Sequence, residues 1–243
     1  IFSLIILHIG AFHLFKSNDL FTEDIYFSWE EGLRIAKGIN PYERIIGSDL
    51  RVNDKYPTYL PLFYVFAAFL NKIGLQTFDS FLNIWRIINF LSHTTIIFLI
   101  FRLFNSKKLF VQGVFACTVI GFSNISLHII KIQHLEFFSI AFLLLSISFI
   151  RERPSLSGIF MGISILIKHF SILFLPFLML NLYSSKPNKE KKLFLQFSKN
   201  LIITISIFLI PFLIWNPIGF ISSIGFSITR ATTIPLLDDA YKI

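Results

Sequence analysis

Seven apolar runs punctuate the chain, at residues 1–15, 58–75, 80–104, 109–130, 135–150, 156–183 and 200–222. They are long and show no polar/apolar alternation, so they predict helices rather than the strands of a membrane barrel. The first two runs are separated by a polar segment, residues 16–56, that carries eight of the fourteen acids (Asp19, Glu23, Asp24, Glu30, Glu31, Glu43, Asp49, Asp54). Inside it, residues 22–38 have a helical period: Ile25, Trp29, Gly32, Leu33 and Ala36 share one stripe, with Glu30, Arg34 and Lys37 opposite and Glu30 and Arg34 at pairing distance. Trp29 suits an interfacial depth. Gly38 ends this helix, and Asn40-Pro41 forms a turn that stops it.

Composition sharpens the picture. Of 243 residues, 54% are hydrophobic and 15% charged, with a mean hydropathy of +0.71; soluble domains carry roughly 25% charged residues. A soluble globular domain, a disordered chain, a collagen-like repeat and a disulfide-stapled scaffold are excluded, which leaves an all-α integral membrane protein. The single Cys117 has no partner for a disulfide or metal site. The chain begins inside an apolar run without Met and is read as one transmembrane domain over 1–243, part of a longer protein.

The net charge of +8 matters through its placement rather than as a nucleic-acid signal. Arg102, Lys107 and Lys108 form one basic cluster, Arg151 and Arg153 a second, and Lys186, Lys189, Lys191, Lys192 and Lys199 a third. The positive-inside rule puts all three in the cytoplasm and the acidic segment outside. Two consequences follow. The run 58–75, with Pro57 before it, Pro61 within it and about 15 clean apolar residues where about 20 are needed to span, must lie on or dip into the outer surface, so that 16–79 forms one long first extracytoplasmic loop with interfacial helices. The run 156–183 must break near Lys168-His169 on the outer side. Seven crossings result.

Asp24 opens the amphipathic helix. It reads equally as a general base held at the membrane surface or as a first-turn acid complementing the helix dipole. Gln133, His134 and Glu136 form an outer turn, either a hydrogen-bonding sugar pocket or an ordinary solvated turn. His128, His134 and His169 do not have the spacing of a zinc motif, and Asp238-Asp239 reads as a loop pair.

The runs DIYFSWEEGLRIAKGINPYER, KYPTYLPLFYVF, WRIINFL, IKIQHLEFFSIAFLLL, RPSLSGIFMGISILIKHFSILFLPFLML and PFLIWNPIGF resemble glycosyltransferase family 87, a mannosyltransferase-related branch of the GT-C superfamily. The family pattern is an Asp before a helix and a Gly-x-Asn-Pro-Tyr turn, a Tyr-Pro-Pro helix, a Gly-Gln element, a small-residue helix ending in Lys-Pro, and a later Asn-Pro. The spaced pair Asp24 and Gly38-Ile39-Asn40-Pro41-Tyr42 carries most of the resemblance. Thr58, Ile132, His134 and His169 depart from the pattern.

The resemblance implies a polytopic GT-C-like helical bundle. It also implies transfer of a hexose, mannose in the first instance, from a polyprenyl-phosphate sugar to a glycan or glycolipid acceptor, inverting, on the extracytoplasmic face of a bacterial inner membrane. Asp24 would be the base. Lys168, Arg230 and Arg86 would be candidates to stabilise the departing phosphate, with Gln133, His134, Tyr42 and Tyr56 as further substrate-binding residues. No cofactor is assigned, and a divalent cation stays open. The rival readings are a transporter or flippase of a lipid-linked saccharide and a non-enzymatic scaffold. A transporter would carry its ionisable residues on broken helices at midplane, whereas here they gather at outer helix ends.

Overall fold

The computed structural model describes residues 2–15, 17, 19–46, 56–183 and 187–229, and these are helical or irregular throughout. In chain order the helices are α1 (Phe2–Phe15), α2 (Asp24–Ala36), α3 (Leu62–Lys72), α4 (Phe78–Ser106), α5 (Phe110–Phe122), α6 (Asn124–Ile132), α7 (Glu136–Phe149), α8 (Pro154–Ile167), α9 (Leu175–Tyr183), α10 (Pro187–Trp215) and α11 (Pro217–Thr229). Two 3-10 turns, Pro41–Ile45 and His169–Phe174, interrupt the series.

The amphipathic segment of the first loop is helical as its periodicity predicts, and it stops where predicted. Gly38 takes φ +76, and its N–H reaches Ile35 O at 2.9 Å while Ile39 N–H reaches Arg34 O at 2.8 Å, which closes the last turn. Asn40 then accepts a bond from Tyr42 N–H at 2.9 Å and starts the 3-10 turn. The apolar stripe of α2 packs on α3: a Cβ at Gly32 would meet the Ala67 Cβ at 2.5 Å, so only glycine lets the two backbones approach this closely. Ile25 joins a core with Phe63, Phe81, Trp85, Leu135 and Ile167. Arg34, spaced for Glu30, makes its ion pair with Glu31, Nε to Oε2 at 3.4 Å.

Helix length matches the seven expected crossings only in part. Among the described residues, Phe78–Ser106 and Lys191–Trp215 are long and apolar enough to cross a membrane, and α5 with α6 would make a third if the pair, bent by 43° at Ser123, counts as one span. The 14-residue helices α7 and α8 rise about 21 Å at 1.5 Å per residue, so their expected crossings rest on the placement of the basic clusters rather than on helix length. Apolar runs measure composition, whereas breaks at Ser123 and Lys168 decide helix length. The 11 residues of α3, about 16 Å long, are too short to cross. The run 156–183 breaks at Lys168, whose backbone is extended at φ −147, ψ 114.

Helix register sets which ends meet. Trp85 Nε1–H donates to Gln133 O at 2.7 Å, and His93 stacks on Phe137 at 3.9 Å, so α4 runs parallel to α7. Serines lock α7 antiparallel to α8: Ser164 Oγ–H donates to Ser139 O at 2.7 Å at one end, and Ser157 Oγ–H to Ser146 O at 2.7 Å at the other. A Cβ at Gly158 would fall 2.2 Å from Phe197 O and one at Gly162 2.9 Å from Thr204, so α8 runs parallel to α10. This register gathers Lys107, Arg151, Arg153, Lys191 and Lys192 at one end of the bundle. Gln133, His134 and Lys168 come together at the other.

Candidate active site

At that second end four segments converge on Asp24. The carboxylate stands in the first turn of α2, where the helix dipole favours its charge. Tyr59, in the segment leading into α3, donates its O–H to Asp24 Oδ2 at 2.6 Å. His134 Nε2 lies 3.0 Å from the same oxygen, and its Nδ1 lies 2.5 Å from Glu136 Oε2. Lys168 closes the ring with an ion pair to Glu136, its Nζ 3.4 Å from His134 Nδ1 and 5.6 Å from the centre of the Tyr59 ring.

Each member is positioned by local structure. Tyr59 is held at both backbone ends: Tyr42 O–H donates to its carbonyl at 2.8 Å, and its N–H donates to Tyr64 Oη at 3.2 Å. His134 follows Gln133, which adopts the left-handed conformation (φ 55) that ends α6. Glu136 is the first residue of α7, where the helix N-terminus suits an acid. Lys168 projects from the break after α8, and the bonds among Ser139, Ser164 and Ser171 fix that break against α7.

The electrostatics follow from this arrangement. Burial disfavours a charged His134 and Lys168 repels it, yet hydrogen bonds to Asp24 and Glu136 win and raise its pKa to about 9. His134 is therefore an imidazolium at neutral pH. Burial, reinforced by the charge and hydrogen bond of Asp24, pushes the Tyr59 phenol far above its ordinary range, so it remains a donor. The Asp24 side chain keeps 28% exposure, against 16% for His134. Beside it opens a cavity of about 180 Å³ lined by Asp24, Ser28, Glu31, Tyr56, Tyr59 and Phe226 among others.

A carboxylate with residual exposure, oriented by a neutral phenol and an imidazolium and next to a cavity, can take a proton from a ligand hydroxyl. The adjacent cations can compensate an anion. As a divalent-cation site the cluster fits poorly: His134 already bridges the two carboxylates and Lys168 occupies the remaining side of Glu136. Among the described residues no group of three His, Cys, Asp or Glu is disposed to hold a metal.

The sequence of glycosyltransferase family 87 matches residues 57–224. The chain belongs to glycosyltransferase family 87. The match takes in Tyr59, His134, Glu136 and Lys168 of the cluster; it begins after Asp24 and the Gly38–Tyr42 turn. No curated protein and no solved structure matches the chain. Family membership makes the protein a glycosyltransferase with a sugar donor and an acceptor, and its long apolar helices make it a membrane protein.

The residues singled out from sequence in this family member divide into three groups. Asp24, His134 and Lys168 meet in the cluster, and Tyr56 lines the adjoining cavity. Tyr42, Gln133 and Arg86 stand apart from it. Tyr42 is fully buried against Tyr64, Phe212 and Phe220 and acts on the site by holding Tyr59. Gln133 is fully buried, its side chain donating to Ile130 O at 2.6 Å and accepting from Asn89 at 3.3 Å. Arg86 donates to Ser17 O at 2.6 Å and borders an apolar groove of about 330 Å³ between α1 and α4, with Ile9, Phe12 and Phe90. Arg230, Asp238 and Asp239 lie outside the described residues, while His128 and His169 are exposed. Tyr59 was not foreseen, because nothing in KYPTYLP distinguishes it from its neighbours until the fold brings it to Asp24.

Proposed function

We propose that this glycosyltransferase moves a hexose, mannose being the first choice, from a polyprenyl-phosphate donor to a hydroxyl of a glycan or glycolipid acceptor, with inversion, on the extracytoplasmic side of a cell membrane. The acceptor oxygen attacks the anomeric carbon as the bond from that carbon to the phosphate oxygen breaks. The electron pair leaves on the polyprenyl phosphate, and the acceptor proton passes to Asp24. The observation that carries this reading is the Asp24 carboxylate, oriented by Tyr59 and His134 at the mouth of a cavity. His134 and Lys168 would offset the charge developing on the phosphate. The apolar groove bordered by Arg86 suits a lipid chain.

The gathering of the basic helix ends opposite the cluster supports an outward-facing site, since positive charge marks the cytoplasmic side. A cysteine introduced near Asn40, at the exposed Ile39, is then labelled by an impermeant reagent from outside, whereas one near Asn188 is not. The decisive assay supplies membranes holding the full-length protein with radiolabelled polyprenyl-phosphate hexoses. Label passing to an acceptor that depends on the protein is the expected result; label passing from a nucleotide sugar alone would overturn the donor assignment.

A further inference from the structure

Helix α10 turns one side to the bundle. Phe197, Leu201 and Thr204 are buried there, where Gly158 and Gly162 of α8 admit its backbone. The opposite side carries Lys191, Lys192, Leu195 and Lys199, all exposed, at spacings that share one helix face. Together with Gln196 they line a recess of about 400 Å³. Further along the helix the same face continues as the exposed Ile202, Ile203, Ile210 and Ile214.

Two features set this row apart from the ordinary surplus of lysine on the cytoplasmic side of a membrane protein. The first is depth. Lys191 opens the apolar span Lys191–Trp215, and Lys199 stands eight residues further, about 12 Å along the axis, where a lone ammonium is costly in hydrocarbon. Its four-carbon stem lets the charge run back toward Lys191 and Lys192, with which it shares the recess. Among the described residues the ion pairs involve none of the three. The second feature is the change from lysine to isoleucine on a single face. The lysines require an anion and the isoleucines hydrocarbon, and a phospholipid supplies both in one molecule. A second copy of this chain would not, because a two-fold axis along the membrane normal sets the two lysine rows against each other at one depth, where like charges repel.

We propose that this face of α10 binds an anionic glycerophospholipid, with Lys191, Lys192 and Lys199 holding the phosphate and the acyl chains lying along the isoleucines. The site stands at the basic end of the bundle, opposite the Asp24 cluster, and is separate from the groove between α1 and α4.

The full-length protein in dodecyl maltoside is titrated with dioleoyl phosphatidylglycerol or dioleoyl phosphatidylcholine, and bound lipid is counted by native mass spectrometry. Phosphatidylglycerol should bind the wild type at least tenfold more tightly. Lys199→Met should weaken it about fivefold and the combined Lys191→Gln, Lys192→Gln and Lys199→Gln variant on the order of a hundredfold, the worth of one and of three lysines at a lipid surface. Lys107→Gln with Lys108→Gln, at the same end of the bundle, should leave it unchanged. Equal affinity for the two lipids, wild-type affinity in the triple variant, or an equal loss in the Lys107 and Lys108 pair would each overturn the site. Thermal unfolding supplies a sign. With phosphatidylglycerol present Lys199→Met should lower the midpoint, whereas a lysine lacking a phosphate partner burdens the apolar span, so that a raised midpoint would overturn the pairing. Protection by inorganic phosphate equal to that by the dioleoyl lipid would overturn the lipid as occupant, and so would efficient cross-linking between copies through a cysteine at Ile202.

Discussion

Asp24 and Glu31 lie on one face of α2, seven residues and roughly 10 Å apart along the axis, and they border the same cavity, yet their surroundings differ in kind. Asp24 retains 28% side-chain exposure, Glu31 2%. The first is oriented by a phenol and an imidazolium, the second held between the guanidinium groups of Arg34 and Arg44. Burial raises the pKa of Glu31, and the two arginines oppose that rise. A proton acceptor must reach a ligand hydroxyl and exchange its proton, and Asp24 has the exposure for it. A buried carboxylate clamped between two guanidinium groups instead ties α2 to the turn that carries Arg44. Two acids of one helix thus acquire separate tasks from what the rest of the chain brings to them.

The strongest test of this contrast is Asp24→Asn. The amide keeps the side chain's size but cannot take the proton, so the transfer rate should drop by roughly 10²–10⁴, the usual worth of general-base catalysis, while donor binding survives. The thermal midpoint should move little, since a first-turn helix acid is worth only about 0.3–1 kcal/mol. Transfer near the wild-type rate would hand the base to Glu31 and dissolve the comparison.

Lys168→Met removes the cation beside Glu136 with little change of bulk. Donor kcat/KM should fall on the order of ten- to a hundredfold, as for a lost charge-assisted hydrogen bond, with expression unaltered. Unchanged donor kinetics would move the phosphate contact to Arg86 or Arg230.

The pH profile sharpens the contrast from the His134 side. Its folded pKa, about 9, lies above the ordinary 6.5. The stability it contributes is therefore complete below 6.5 and lost as pH rises through about 9. Transfer that needs the imidazolium should fall over the same limb, up to about tenfold per pH unit above 9. His134→Gln should abolish that limb, which rate measurements from pH 6 to 10 would reveal.

The smallest effect on catalysis, and the largest on the fold, is expected at the second acid. Glu31→Ala leaves Arg44 and Arg34 without their buried partner. Because both guanidinium groups keep contact with water, a loss of about 1–3 kcal/mol is expected, read as a lowered unfolding midpoint in detergent. A midpoint equal to that of Asp24→Asn would show that the two carboxylates are not distinguished by burial.

The helices of this protein were largely legible in its sequence. The period of residues 22–38, the stop at Gly38 and the break at Lys168 all reflect local rules of backbone preference and charge placement, and each stands where expected. Crossing number was legible only in part, because run length does not reveal the bend at Ser123 or the 14-residue limits of α7 and α8. Tyr42 and Gln133 looked like substrate contacts, since a polar side chain in a motif carries no mark of whether packing will consume it. In the fold Tyr42 anchors Tyr59, and Gln133 is spent on Asn89 and Ile130.

The sequence by itself determined the membrane class, the helical period of the first loop, the polar candidates Asp24, His134 and Lys168, and the likeness to family 87. These rest on hydropathy, spacing and charge, which act over a few residues or accumulate along the chain. Only the tertiary structure decided that these three meet, that Tyr59 and Glu136 complete them, and that Glu31 shares their cavity. Asp24 is separated from His134 by 110 positions, and Lys168 from Glu136 by 32. The parallel seating of α4 on α7 and the serine bonds between α7 and α8 bring them together. No local rule encodes such contacts, because they arise when helix faces distant in sequence bury one another.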